Sequence, residues 1–582
     1  MRVGKGDVAL EKMDLLIKGG KVFNTYLKKF MVADMVITGG RIFYVGDASS
    51  LDFDYQEVIA AEGRYISPGL IDIHMHIESS MATPEAFAAA VIKNGVTTIV
   101  SEPHEMANVF GLAGIKEMIK AGTGAAVDIY YAAPSSVPST SAEFETTGSE
   151  IEIADFNELM QNERVICLGE VMNCYDIIHG LDTKTSRLLD FFRKKYSVLP
   201  IEGHCSRVSG LGLAKVLWAG VGSDHTQQTA ASLAEKIGAG MFLEIQEKSL
   251  NRENIACIAE NQFYEDIALV TDDVMADKLI SEGHLNHLVK KAVSLGMPIE
   301  YAIYCATYTP ARRMRLMDRG SLAPGKLGDL IILDDLSLFT INSVYKRGAL
   351  VYRADKSGAD PVKIKKFPKR FYHSIMRQPI SAKALQIRAK VVEGMVKCRI
   401  ISVQDGTTST DERIAEIDVR DGYLDWEGSP YCLIAVLERY GRNGNIGLGL
   451  ITGDTIKRGA VAASYCHDHH NIIVVGKNAA DMVMAVNVII EDQGGYVAVE
   501  NGQVLAGLAL PIGGILSDKD MNTIGRELAE VTAAMRALGY KHYNPVMSLS
   551  TNGLPVSPLL KITDRGLIRF DQKKIVDIFV EE

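Results

Sequence analysis

The chain has 582 residues, which is too long for a single hydrophobic core and predicts roughly two to four domains. Hydrophobic residues make up 47% of the chain and charged residues 23%, a composition typical of folded globular proteins. The formal net charge of −10 argues against nucleic acid or an anionic membrane surface as the main partner, because both require concentrated Lys and Arg.

The N-terminal sequence and the cysteines indicate the cellular compartment. The first 16 residues, MRVGKGDVALEKMDLL, lack the continuous apolar core of a signal peptide, and no apolar run reaches membrane-spanning length. The eight cysteines are scattered and form no C-x-x-C pair, which favours reduced and mostly buried thiols. We therefore expect a cytoplasmic protein.

The chain begins with β-like sequence that returns near residue 330. Residues 14–60 show short β-branched runs, and the Gly-Gly pairs at 19–20 and 39–40 predict hairpins of a small sheet. Residues 328–352 have the same character. Two β segments thus flank a central region of about 250 residues.

Within residues 68–325, continuous apolar runs alternate with amphipathic, helix-like segments. Apolar runs of this length suit strands that are buried on both faces of a parallel sheet, and repeated β-then-α units predict a (β/α)₈ TIM-like barrel. A doubly wound open sheet is the alternative that this pattern leaves open.

After the barrel region the sequence changes again. The short basic stretch at 363–370 is typical of a solvated linker. Residues 375–582 mix strand-like and helix-like segments, which predicts a separate C-terminal α+β domain.

Polar side chains end several of the predicted barrel strands. In a parallel barrel the carboxyl ends of the strands meet at one face, so these side chains are expected to converge. The residues are His74, His76, Glu170, His204, His225 and Asp272.

The residue types of this set favour a metal site. Alternation along a strand places His74 and His76 on one side, while Ile71, Ile73 and Met75 face away from it. Four imidazoles and two carboxylates suit two Zn, Mn or Fe ions if one carboxylate bridges them, and Glu170 is our candidate bridge. Taken singly, each histidine could be a buried hydrogen-bonding residue and each acid a helix cap.

Such a site predicts hydrolysis. Two close cations lower the pKa of a shared water and supply hydroxide at neutral pH. We expect Asp272 to act as the general base and acid that moves the proton to the leaving group.

These segments resemble the adenine deaminases of the amidohydrolase superfamily, and the resemblance extends from residue 14 to the C-terminus. Its carriers are SPGLIDIHMHIESSMATPEAFA, SEPHEMANVFG, CLGEVMN, GHC, SDHT, TDD, EGHLNHLVKKA, LAPGKLGDLIIL, ASYCHDHHNIIVVGKNAADM and LALPIGGILSD. The resemblance implies a metal-dependent barrel (68–325), a flanking β-sandwich domain built from residues 1–67 and 326–360, and a C-terminal domain characteristic of the family (375–582).

The resemblance also implies an activity, a cofactor and further site residues. His74 and His76 would bind a first metal, His204 and His225 a second, with Glu170 as the bridge and Asp272 completing the site. The implied ions are a pair of Mn²⁺ or Fe²⁺, with Zn²⁺ as another option, and the implied reaction is deamination of adenine by water in purine salvage. Candidate substrate-binding residues are His104, Glu105, Asp273, His467 and Asp468.

Two departures and two alternatives qualify this resemblance. His469 stands where the family more often has serine, and TYTPA (307–311) replaces a more usual NPA ending. A cyclic amidohydrolase acting on a hydantoin or dihydroorotate ring would use the same type of site, although it usually carries lysine at the bridge. A non-catalytic barrel scaffold is the other alternative. We further expect a homodimer.

Overall fold

The computed structural model describes residues 12–355 and 364–580. Residues 1–11, which carry much of the expectation about a signal peptide, and residues 356–363, which include the start of the predicted linker, lie outside the described residues. Across the described ranges, no helix combines the length and apolar character that a membrane crossing requires.

One eight-stranded sheet contains strands from both sides of the barrel in the sequence. Its two halves meet where Tyr65–Pro68 pairs antiparallel with Leu330–Asp335. In chain order its strands are Lys12–Asn24, Lys29–Thr38, Arg41–Gly46, Asp54–Ala60, Tyr65–Pro68, Leu330–Asp335, Thr340–Lys346 and Ala349–Arg353. This sheet joins the chain entering the barrel to the chain leaving it.

The two Gly-Gly pairs of this sheet have different structures. Gly39–Gly40 links the paired residues Thr38 and Arg41 in a hairpin, as predicted. The hairpin predicted at Gly19–Gly20 is wrong, because strand Lys12–Asn24 continues through it with a register irregularity. A Cβ on Gly20 would lie 2.4 Å from Cδ1 of Ile66 on the neighbouring strand, so a side chain here would displace Ile66.

Eight parallel strands form the barrel, which confirms the (β/α)₈ prediction. They are Leu70–Met75, Val96–Ser101, Asp128–Ala133, Val165–Val171, Ile201–Gly203, Ser223–Asp224, Phe242–Ile245 and Ile267–Leu269. The fifth and sixth strands are joined by a hydrogen bond from Gly222 N to Ile201 O (3.0 Å). The eighth closes on the first through Asp272 N and His74 O (3.0 Å), which rules out the open-sheet alternative.

Helices connect the barrel strands and cover the outside of the barrel. Several begin at side-chain caps, for example Asn251, whose side chain accepts a hydrogen bond from Asn254 N. The helices are Pro84–Val91, His104–Phe110, Leu112–Ala121, Ile153–Leu159, Cys174–His179, Lys184–Lys195, Gly210–Trp218, Ala230–Gly238, Arg252–Glu260, Ala276–Ser281, Leu285–Ser294, Ile299–Cys305 and Tyr308–Arg313.

The C-terminal region is built on a nine-stranded, mainly antiparallel sheet. In spatial order its strands are Tyr423–Leu424, Thr410–Arg420, Gly394–Val403, Ile446–Gly453, Cys432–Leu437, Ile472–Gly476, Ala460–Ala463, Gly495–Glu500 and Gln503–Ala509. A small sheet follows, formed by Lys561–Thr563, Gly566–Arg569 and Lys574–Val576. Helices Ala479–Glu491, Met521–Ala537 and Pro545–Thr551 complete the α+β architecture.

The C-terminal region packs directly on the carboxyl face of the barrel. One hydrophobic cluster contains buried residues of both, including Met81 and Met106 from the barrel and Leu516 and Ile524 from the C-terminal region. Gly525 permits close packing, because a Cβ there would lie 3.0 Å from the carbonyl oxygen of Ala276. The face that holds the predicted site is therefore covered by protein.

Candidate active site

A bulge in the first barrel strand orients His74 and His76. The register with the neighbouring strand shifts by one residue between Asp72 and Met75. The predicted strict alternation is therefore wrong: Ile71 and Ile73 pack inside the barrel with residues of several other strands, such as Val100, Ala132 and Cys167. The extra residue turns both histidines toward the same centre, where they are 4% and 3% exposed.

The six side chains predicted as a metal set converge at the carboxyl face. His76 Nε2 lies 3.6 Å from Asp272 Oδ1 and 3.7 Å from Glu170 Oε1. His74 Nε2 lies 3.8 Å from the same Asp272 oxygen. On the opposite side, His204 Nδ1 lies 2.9 Å and His225 Nε2 3.3 Å from Glu170 Oε2.

Glu170 joins two groups of potential ligands. Donor atoms of Glu170, His74 and His76 all lie within 4.8 Å of one another, and the same holds for Glu170, His204 and His225. Because Oε1 faces the first group and Oε2 the second, one carboxylate serves both. The geometry matches what a bridging carboxylate requires.

The backbone of Asp272 is held in an unusual conformation. Its φ of 59° lies in the left-handed region, where Asp is better tolerated than most residues with a side chain. The hydrogen bond from its N–H to His74 O ties this conformation to the closure of the barrel. Barrel closure therefore fixes the position of the carboxylate.

Burial and mutual contact shift the pKa values of His74, His204 and Glu170. Burial, reinforced by the nearby His225, lowers the pKa of His74 well below its ordinary value. Burial opposes protonation of His204, but its hydrogen bond to Glu170 raises the pKa to about 9. Burial would raise the pKa of Glu170, yet its histidine neighbours, His225 first, hold it well below its usual range. Glu170 is therefore ionised at neutral pH, as a carboxylate that binds a cation must be.

The donor set fits metal ions. Among the described residues, His74 Nε2 is buried and has no hydrogen-bond partner, although it points at Asp272. The other nitrogen of His76, Nδ1, lies 3.1 Å from the carbonyl oxygen of Glu102, which favours the tautomer whose Nε2 lone pair faces the centre. Imidazole and carboxylate donors of the kind that bind transition metals thus face the same centre.

A second cluster, which we call the Glu105 cluster, joins the barrel to the C-terminal region. It consists of Glu105 with Tyr465, His467 and His470. Glu105 Oε1 accepts a hydrogen bond from Tyr465 Oη (3.1 Å) and lies 3.0 Å from His467 Nε2, while Oε2 contacts His470 Nε2. All four residues are buried, so both oxygens of Glu105 are already engaged within the protein.

His104 lies between this cluster and the six-residue centre. Its Nδ1 is 3.8 Å from Glu170 Oε1, and its Nε2 is 3.6 Å from Glu105 Oε1 and 4.0 Å from Asp468 Oδ1. Asp468 is buried, and its Oδ2 has no hydrogen-bond partner among the described residues. Asp273 accepts a hydrogen bond from Ser79 Oγ beside the centre. The structure thus brings His104, Asp468 and Asp273 close to the six residues.

Sequence reasoning missed two acids beside the centre. Glu102 directly follows the second strand, and its Oε2 accepts a hydrogen bond from Glu170 N (2.7 Å). The rule of polar residues at strand ends, applied to SEPHE, would have found it. Glu244 lies within strand Phe242–Ile245 and is completely buried. A single acid inside an apolar strand was the available signal.

A pocket opens beside the centre, between the barrel and the C-terminal region. Asp272, Asp273 and Lys248 line its barrel side, and Tyr543 and Met547 line the other. The two adjacent aspartates therefore line the same pocket.

Comparison with known proteins adds to this geometry. The amidohydrolase family model matches residues 65–355, and the adenine deaminase C-terminal domain model matches residues 407–574. Adenine deaminase of Clostridium perfringens is 48% identical over 571 residues, covering 98% of this chain and all of that protein. Adenine deaminase 2 of Shouchella clausii is also 48% identical, covering 98% and 99%.

A solved structure is similar over part of the chain. Beta-aspartyl dipeptidase from Fervidobacterium islandicum shares 18% identity with a TM-score of 0.46, covering 60% of this chain and 99% of that one. The full-length relatives and the two matched models extend across the barrel and the C-terminal region. The chain belongs to the adenine deaminase family, whose barrel is that of the metal-dependent amidohydrolases.

Proposed function

We propose that this protein hydrolyses adenine to hypoxanthine and ammonia, as a step of purine salvage. The observation that carries the proposal is the pair of ligand groups that share Glu170. The full-length similarity to adenine deaminases supports the choice of substrate.

We propose two divalent ions, Mn²⁺ or Fe²⁺, with Zn²⁺ as a third option that the donor set accepts. His74, His76, Glu170 and Asp272 would hold one ion, and Glu170, His204 and His225 the other. When bound, such a pair lowers the pKa of water and polarises the bond under attack.

Asp272 carries the proton transfers in this proposal. Burial raises its pKa, but its contacts with His76 and His225 outweigh that effect and hold the pKa well below the ordinary value, so the carboxylate is ionised and able to accept a proton. It takes the proton of the attacking water as the new C6–O bond forms. It then donates that proton to the amino group, which leaves as ammonia when the C6–N bond breaks.

His104 is our candidate for protonating a ring nitrogen. Burial lowers the pKa of His104, whereas Glu105 raises it, to about 10 overall, so the imidazole carries a proton at neutral pH. Because both oxygens of Glu105 are engaged by the C-terminal region, we assign Glu105 to holding His104 and its neighbours. Asp273, Asp468 and His467 remain proposed contacts of the purine edge.

The decisive assay measures ammonia release and the fall in absorbance at the adenine maximum. Apoprotein reconstituted with Mn²⁺ is expected to deaminate adenine, and a folded Glu170→Gln variant to lose activity by several orders of magnitude. Parallel assays with cyclic imides test the ring-opening alternative. If adenine is untouched while an imide ring opens, or if no transition metal binds at all, the proposal is wrong.

We also propose a cytoplasmic location and a homodimer. The location is supported by the eight cysteines in the described ranges, all of which are free and seven of which are buried. The dimer is supported by an exposed apolar strip on helix Gly210–Trp218, where Leu211 and Trp218 are 74% and 83% exposed.

A further inference from the structure

We propose that Glu244 is a positioning residue that holds one histidine from each of the two ligand groups, His74 and His225, through their outer ring nitrogens. This inference rests on the proposed metal pair. Glu244 lies behind the ligands, and it links the two ligand groups to each other independently of Glu170.

The geometry places Glu244 directly behind these two rings. His74 and His225 are stacked, with ring centroids 3.8 Å apart and an interplanar angle of 20°. Because Nε2 of each ring points toward Asp272 or Glu170, Nδ1 of each points away from the centre. Glu244 Oε2 lies 3.8 Å from His74 Nδ1, and donor atoms of the three residues lie within 4.8 Å of one another.

The carboxyl group of Glu244 neighbours that of Glu202 on the fifth strand. Glu202 is held by partners of its own, because it accepts hydrogen bonds from Arg313 Nη2 (2.6 Å) and Ser223 Oγ (2.6 Å). The oxygens of Glu244 therefore remain available to the histidines.

The unpaired atoms of this region indicate what the arrangement is for. Among the described residues, neither oxygen of Glu244 has a hydrogen-bond partner, and neither does His225 Nδ1. Buried polar atoms without partners are costly, so they are expected to pair in the working protein. The 3.8 Å separation exceeds a hydrogen bond, and the proposal requires it to close by about 1 Å.

Such contacts matter to a metal site because they fix the ring. A histidine that binds metal through Nε2 carries its proton on Nδ1, and an acceptor there sets both tautomer and orientation. Removing such an acceptor typically weakens metal affinity about 10- to 100-fold. A single acceptor shared by His74 and His225 would affect both ions together.

Two substitutions at this position separate positioning from burial. Glu244→Gln keeps an acceptor at this position, because its amide oxygen can still accept from the histidines. Glu244→Leu keeps the volume and removes the acceptor. Glu85→Leu is the matched control, since Glu85 is a buried acid on helix Pro84–Val91, outside the candidate site. Among the described residues its oxygens have no hydrogen-bond partner, and Oε1 lies 3.8 Å from Lys365 Nζ.

The experiment measures metal binding rather than turnover. Each apoprotein is first shown to be folded by circular dichroism, then titrated with Mn²⁺ against a chelator, and bound metal is quantified by mass spectrometry. The visible spectrum of bound Co²⁺ reports ligand geometry separately. We expect Glu244→Leu to bind both equivalents about 10- to 100-fold more weakly, and Glu244→Gln and Glu85→Leu to stay within a few-fold of wild type.

The outcomes distinguish this inference from the proposed function. Wild type that binds no metal would overturn the metal proposal itself. Wild type that binds two equivalents, with Glu244→Leu unchanged in affinity and Co²⁺ spectrum, would overturn only the role of Glu244. Equal losses of metal affinity in Glu244→Leu and Glu244→Gln would also overturn the role of Glu244, because glutamine keeps an oxygen acceptor behind the two rings. An equal loss in Glu85→Leu would overturn it as well, because Glu85 lies outside the candidate site.

Discussion

Replacing Glu105 with leucine should loosen the C-terminal region from the barrel. In the Glu105 cluster, one barrel carboxylate holds three side chains from the C-terminal region, Tyr465, His467 and His470. All are buried, so none can turn to water for a partner. Leucine occupies a similar volume and contributes no acceptor.

The magnitude follows from the number of groups left unpaired. Three buried donors at about 1–3 kcal/mol each give a loss of about 3–9 kcal/mol. Glutamine is expected to cost only about 1–2 kcal/mol. Its oxygen can still accept from Tyr465 and His467, and His470 can present an acceptor nitrogen by changing tautomer, because its Nδ1 has no present partner among the described residues.

The two tryptophans provide the assay. Trp426 is buried in the C-terminal region at 5% exposure, whereas Trp218 on the barrel is 83% exposed. Fluorescence changes during denaturation therefore report mainly the C-terminal region, and far-ultraviolet circular dichroism reports the whole chain. We expect the fluorescence midpoint to fall strongly in Glu105→Leu and slightly in Glu105→Gln.

A Glu105→Leu variant whose fluorescence midpoint equals that of wild type would refute this reasoning. Equal losses of stability in Glu105→Leu and Glu105→Gln would refute the explanation by unpaired donors, since loss of the Glu105 charge alone would then explain the effect.

Three further predictions concern the metal, the substrate and pH. Removing divalent ions with a chelator should lower the unfolding temperature. Restoring the ions at 100 times their dissociation constant should raise the free energy of unfolding by about 2.7 kcal/mol per site. An unfolding temperature that does not change would argue against a resident metal. Asp273→Asn should raise KM for adenine about tenfold with a smaller change in kcat, because the substrate would lose one charged hydrogen bond. Steady-state kinetics would instead show a large fall in kcat with little change in KM if Asp273 took part in the chemical step. Burial lowers the pKa of Lys561 to about 7 in the folded protein, from 10.5 in the unfolded chain. Between these two pH values the unfolded chain binds more protons than the folded one, so the free energy of unfolding rises with pH. Lys561→Met should lack this rise, so that between pH 7 and pH 9 wild type gains about 2 kcal/mol of stability relative to the variant.

The grouping of the candidate site residues could be predicted from the sequence because one geometric rule of parallel barrels applies to them. Strands of a parallel barrel end at a common face, so His74, Glu170 and Asp272 could be grouped although they are far apart in the chain. The rule needs only the strand ends, which apolar runs mark clearly. The closed barrel and the convergence of the six side chains follow from it.

Other features depend on contacts that no local pattern encodes. The bulge between Asp72 and Met75 is a single added residue, and it reverses the side on which Ile71 and Ile73 lie. The strand through Gly19–Gly20 pairs with the distant strand Tyr65–Pro68, in which Ile66 lies opposite Val22, and no local pattern shows this pairing. The partners of Glu105 lie about 360 residues away in the chain, so the sequence could suggest residues of that segment as candidates but could not predict their contacts with Glu105.

The location of His104 explains why the C-terminal region belongs to the site. Its Nδ1 faces Glu170 at the centre, and its Nε2 faces Glu105 and Asp468 at the junction with the C-terminal region. The protonation of this ring therefore depends on acids supplied by both parts of the chain. A barrel without the C-terminal region could keep its six potential ligands, yet His104 would lose Asp468, and Glu105 would lose the three side chains that hold it. For this reason we expect metal binding to depend on the barrel, and acid–base chemistry on the purine ring to depend on how the C-terminal region is seated.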